Sequence, residues 1–193
     1  MNIFYIDSDP QTCAQSHNDK HTVKMIIEYA QLMSTAHRIL DGTEYLDKTV
    51  NNRSIKRWRM NTPEWDNGIM LAAHVNHPSN IWVRSSKENY LWINRMWTYL
   101  LKEYTHRYGK EHKCAERAQW LYMLPKNIPD TPFTEPPLAM PDEYKVIGNA
   151  IQSYRNYYNG SKASFSKWTN REIPVWFHQK IIPSNEGIIE EVI

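Results

Sequence analysis

The segment His17-Asn18-Asp19-Lys20-His21-Thr22-Val23-Lys24-Met25-Ile26-Ile27-Glu28-Tyr29-Ala30-Gln31-Leu32 gathers several ionisable groups on one short stretch of chain. Lys24, Glu28 and Gln31 follow at i, i+4 and i+7, so a helix here carries one polar stripe on an otherwise apolar rod. His17 and His21 extend that stripe toward the N-terminus. A solvated face accounts for a Lys-Glu pair four residues apart, but leaves two imidazoles and the narrowness of the stripe unexplained. A carboxylate so placed can stabilise a neighbouring cation or relay a proton, according to its charge state.

The eight histidines include three close pairs, His17 with His21, His74 with His77, and His106 with His112. Two imidazoles at i, i+4 could ligate one metal ion. There is no His-Glu-x-x-His and no acid at fixed spacing beside them, so phosphate binding or structural hydrogen bonding is the expected role. No metal site and no other cofactor is expected. His77, directly before Pro78, is expected to fix the junction between two helices.

Cations and aromatics recur together further along. Arg53, Lys56, Arg57 and Arg59 fall within seven residues. Between positions 145 and 180, Lys145, Arg155, Lys162, Lys167, Arg171 and Lys180 face one acid, Glu172, and alternate with Tyr154, Tyr157, Tyr158, Phe165, Trp168, Trp176 and Phe177. That interleaving can neutralise phosphates and stack on bases. A mixed solvated surface is the competing reading of each patch. The net charge is only +2, so nucleic-acid binding has to rest on such local patches. Acids concentrate instead at 135 to 143 and 186 to 191.

The elements that must position these groups are mainly helical. Asp9-Pro10 offers a cap and first residue for a short helix after an extended start. A long helix is expected over 17 to 40, stopped by Asp41-Gly42, and a loop over 43 to 68 around the first basic patch. Thr62-Pro63-Glu64 opens an expected helix over 64 to 76 that carries His74. Further helices are expected over 78 to 85, 87 to 108 with Gly109 as its stop, 112 to 124, and 142 to 158. Six prolines within 125 to 141 predict an ordered wrap across the surface. Trp82 and Trp97 are expected in the core. No strand pattern or repeat emerges, and the reading is a compact all-α fold in a single domain spanning 1 to 193, with an aromatic-basic C-terminal region.

Composition narrows the function classes. The chain has 8 Trp and 12 Tyr against 4 Phe, a bias toward aromatics with a polar handle. Cys13 and Cys114 lack metal-type spacing and are expected as free thiols. No 18-residue apolar run or signal pattern is present, so a soluble, cytoplasmic protein without a membrane partner is expected.

The order Asp19-Lys20-His21-x-x-Lys24-x-x-x-Glu28-x-x-Gln31, then Asn76-His77-Pro78-x-x-x-Trp82 with Tyr90, then Glu103-Tyr104-x-x-Arg107-Tyr108-Gly109, resembles the pyrimidine-dimer DNA glycosylases of the bacteriophage endonuclease V type. The stretch Tyr157-Tyr158-Asn159-Gly160-Ser161-Lys162 is similar to an aromatic loop that the family places against DNA. The resemblance touches about two thirds of the chain in patches and leaves 43 to 62 and 125 to 141 without a counterpart. It implies an N-terminal α-amine that attacks the anomeric carbon of a damaged nucleotide, an imine, and strand cleavage by β-elimination. An α-amine suits this because its ordinary pKa of about 7.7 to 8.0 leaves a neutral fraction at physiological pH. The amine would be that of Met1, since the bulky Asn2 favours retention of the initiator, or of Asn2 once exposed. Glu28 would stabilise the imine and shuttle protons. His17, His21, Lys24, Gln31, His77, Arg107 and Lys110, with Tyr157, Tyr158, Lys162, Lys167, Trp168 and Arg171, would contact the DNA. Three readings stand side by side: a glycosylase and lyase on damaged duplex DNA, a DNA- or nucleotide-binding viral protein without turnover, and a histidine-dependent hydrolase of nucleotides or phosphodiesters.

Overall fold

The computed structural model describes residues 1–178. Lys180 and the acids at 186 to 191 lie outside the described residues. Helix dominates, at about 51% of the described residues in seven α-helices and three 3-10 turns, with one two-stranded sheet. Local signals explain the main helices. Asp9 accepts from Thr12 N at 2.8 Å and opens α1 (Pro10–Ser16). Asn18 accepts from His21 N at 2.9 Å and opens α2 (Asp19–Asp41). α2 stops at Gly42, where a Cβ would sit 2.5 Å from the Arg38 carbonyl. His77 opens α4 (Pro78–Ser85), and Ser86 opens α5 (Lys87–Tyr108), which Gly109 ends in the left-handed region at φ +68°. α2 and α5 pack centrally, and Trp97 is fully buried with its Nε1 donating to the Ile26 carbonyl at 2.9 Å. Trp82 is also in the core.

The extended start, residues 3 to 6, runs into this core rather than along the surface. A hydrogen-bonded chain fixes it there: Phe4 N–H donates to the Tyr29 hydroxyl, which donates to His17 Nε2, while His17 Nδ1–H donates to the Cys13 carbonyl. The proline-rich segment is an ordered wrap. Trp82 Nε1 donates to Thr134 O at 2.9 Å, Ser86 Oγ to Thr131 O at 2.6 Å, and Tyr154 OH to Pro137 O at 2.8 Å.

Four expectations are corrected. Residues 43 to 68 are not a loop: β1 (Thr43–Lys48) and β2 (Ser54–Arg59) form an antiparallel hairpin with Thr43 opposite Arg59 and Lys48 opposite Ser54. The mainly helical reading holds, with this two-stranded hairpin added to it. The helix expected over 64 to 76 ends early, as α3 (Pro63–Gly68), and an extended run follows with His74 at φ +50°. The 112 to 124 helix shrinks to a 3-10 turn (Lys113–Arg117) and one turn of α6 (Ala118–Leu121). The 142 to 158 helix is broken by Gly148 at φ +74° into a 3-10 turn (Asp142–Tyr144) and α7 (Ala150–Asn159). Among the described residues, no helix is long and apolar enough to cross a membrane.

Candidate active site at the N-terminus

The polar stripe of α2 is longer than the sequence suggested, because Thr35 and Arg38 continue Lys24, Glu28 and Gln31 at helical spacing. Arg38 is 1% exposed and holds five acceptors: Met70 O at 2.6 Å, Trp58 O, Asp66 Oδ1 and Asp66 O at 2.7 Å, and Ile69 O at 3.2 Å. Burial pushes the Asp66 carboxyl up, but hydrogen bonds from Met60 N and Arg38 outweigh it and hold the group below its ordinary value. Further along, Ser34 Oγ accepts from Met70 N, Thr35 Oγ1 from Ala73 N, and Gln31 Nε2 donates to Leu71 O at 2.6 Å. The extended run 69 to 77 thus lies along this stripe, its backbone groups satisfied by α2 side chains instead of by a helix of its own. Its end leads into His77, the cap of α4.

At that end the N-terminus is tethered. The Met1 carbonyl accepts from Ser79 Oγ at 3.2 Å, at the start of α4. Asn80, 1% exposed, donates to Ala73 O and His74 O, and its Oδ1 has no partner. His77 Nδ1 accepts from Ser79 N at 3.2 Å, which caps α4 and leaves the proton of a neutral ring on Nε2. Burial lowers the His77 pKa, the Met1 ammonium and His74 lower it further, and Glu28 opposes them. The Met1 backbone is thus fixed two residues from His77, at the first turn of α4. Glu28, with its side chain 20% exposed, pairs with the exposed Lys24 at 3.2 Å. Asn2 is half-buried.

The other residues singled out by sequence separate from this cluster. His17 is fully buried in the chain described above, and burial pushes it down to about 4. His21 is stacked on Phe4 at 4.1 Å with Nδ1 2.6 Å from Tyr158 OH, and burial lowers it to about 2. Both are neutral core histidines rather than phosphate ligands, and α2 begins after His17, so the two do not share a helix face. Gln31 is occupied by Leu71. Arg107 is buried between Glu103 at 2.7 Å and Asp19 at 2.9 Å. Arg171 closes on both oxygens of Glu103, at 2.8 and 2.9 Å. Burial raises the Glu103 carboxyl, but Arg171 and Arg107 outweigh it and hold the group low. Trp168 is buried with Nε1 on Ser16 O, and Tyr158 is fully buried. Tyr157 is half-covered, with Lys162 Nζ 4.4 Å above its ring. Arg155 pairs with Asp7 at 3.2 Å. Most of the aromatic-basic region is thus structural, fastening the C-terminal segment to α2 and α5. Lys110 and Lys167 remain exposed.

Among the described residues, no group of three or more His, Cys, Asp or Glu is placed to hold a metal ion. An apolar cavity of about 280 Å³ lies at the far end of α2, lined by Asp41, Met60, Trp65 and Leu124, away from Glu28. Sequence reasoning missed Arg38, whose place in the last turn of a helix resembles an ordinary dipole partner, and Asn80, whose signal was its place just after the His77-Pro78 helix start. The chain matches no family model, no curated protein and no solved structure.

Proposed function

We propose that the chain is a DNA glycosylase with associated lyase activity that uses the Met1 α-amine as nucleophile and Glu28 as its proton relay. The observation that carries this reading is the tethering of Met1 to the start of α4, where its carbonyl accepts from Ser79 Oγ two residues after the cap His77. In the first step the neutral amine attacks C1′ of a damaged nucleotide. The N-glycosidic bond breaks and the departing base takes a proton. Opening of the sugar then gives an imine; loss of a C2′ proton expels the 3′ phosphate and cleaves the strand. In this reading Glu28 gives the proton when neutral and stabilises the cationic imine when ionised. His77, capping α4 through Nδ1, presents Nε2–H as a neutral donor to a substrate oxygen. The work is placed in the cytoplasm, where free thiols such as Cys13 and Cys114 persist.

The test is borohydride reduction in the presence of an abasic-site duplex. A covalent protein-DNA adduct supports the reading, and its absence alongside retained DNA binding supports a binding role without turnover. The hydrolase reading loses its principal candidates, since His17 and His21 are buried and hydrogen-bonded.

A further inference from the structure

The hairpin is thinly packed. Neither strand presents a buried residue, and Leu46 and Val50 are 75% and 105% exposed. A two-stranded ribbon without a covered face is marginal in water. Its base is held by Arg38 on Trp58 O. Residues 48 to 59 carry five cations, Lys48, Arg53, Lys56, Arg57 and Arg59, and no acid. The two acids of β1 are taken: Glu44 pairs with Lys56 at 2.8 Å and Asp47 with Arg57 at 2.7 Å, while Arg59 lies over Tyr45 at 4.9 Å. Lys48 and Arg53, toward the tip, have no ion-pair partner among the described residues and face solvent.

We propose that this hairpin is a duplex-DNA-binding arm, taking over the role that sequence alone suggested for residues 154 to 171. Charge complementarity selects the occupant, because an acid-free cationic end suits a polyphosphate surface. Shape agrees, since a major groove about 12 Å wide admits a two-stranded ribbon. Position agrees as well. Arg38 and Glu28 share one stripe of α2 and stand ten residues apart, about 15 Å along the helix axis. At about 3.4 Å per base step, that is roughly four to five steps between the arm's base and the reacting nucleotide. The inference rests on the DNA reading above for its partner, but not on the imine chemistry.

Fluorescence anisotropy with an undamaged 20-base-pair duplex, from about 50 to 200 mM salt, tests it. The variant is Lys48→Ser with Arg53→Ser, which touches no ion pair and leaves the hairpin's folding intact. The slope of log affinity against log salt should flatten by about 1.8, at 0.9 per lost phosphate contact, with an unchanged Tm. Arg95→Ser with Lys113→Ser, at exposed cations outside the hairpin, should leave the slope as it is. Borohydride trapping is run on the same proteins. A flattened slope without trapping in the wild type keeps the arm and removes the glycosylase. Trapping with an unchanged slope keeps the glycosylase and overturns the arm. Loss of binding to anionic phospholipid vesicles, with duplex affinity unaltered, overturns it in favour of a membrane surface.

Discussion

Glu28 and His77 differ from the other candidate residues in what their side chains are doing. His17, His21, Arg107 and Arg171 spend their hydrogen bonds on the protein itself, whereas Glu28 has, among the described residues, only the exposed Lys24 as an ion-pair partner. Glu28→Gln preserves shape while removing the proton relay. It should leave Tm and duplex affinity unchanged and lower cleavage at abasic sites by at least about 100-fold, measured as single-turnover strand scission. Unchanged cleavage would remove Glu28 from the chemistry. The stripe itself was legible from spacing, but not the direction of its imidazoles. Asn18 turns the chain as a helix cap, and that turn sends His17 inward, where burial decides its charge state.

Among the elements, α2 and α5 were legible because caps, stops and a helical apolar period agree at both ends. The hairpin was not. A strand is recognised by an apolar face, and here both faces are exposed, held by cross-strand pairs such as Arg57 with Asp47. Residues 69 to 73, Ile-Met-Leu-Ala-Ala, imitate the interior of a helix, yet their backbone groups are taken by α2 side chains. Arg38 is the key to that arrangement. Arg38→Met keeps volume but strands the Asp66 carboxylate and several carbonyls. Urea denaturation should show a loss of about 3 to 5 kcal/mol. A loss below about 1 kcal/mol would mean that other contacts hold residues 60 to 77 in place.

The whole molecule carries three buried neutral histidines, His17, His21 and His37, whose burial lowers them to about 4, about 2 and about 4. An unfolded chain protonates them near 6.5, so the unfolded state binds more protons as pH falls through that value. Their contribution is complete above pH 6.5. It declines from there toward the folded values, at up to about 1.4 kcal/mol per pH unit for each. Glu103 and Asp66, held low, add a second loss as pH falls below the ordinary carboxylate range toward their folded values. Tm should therefore begin to fall below pH 6.5, well before carboxylates titrate. A flat Tm between pH 7 and 5 would contradict this account of the core.

A Met1 α-amine acting as nucleophile, with Glu28 as its proton relay, is the claim on which the function stands. Borohydride trapping on an abasic-site duplex, followed by mass spectrometry of the intact N-terminus and of the adduct-bearing peptide, tests it most directly. The account predicts a reduced adduct on the α-nitrogen of Met1, with Glu28→Gln still trapped but impaired in strand cleavage. An adduct confined to a lysine, or no adduct on a protein that binds the same duplex, would contradict it.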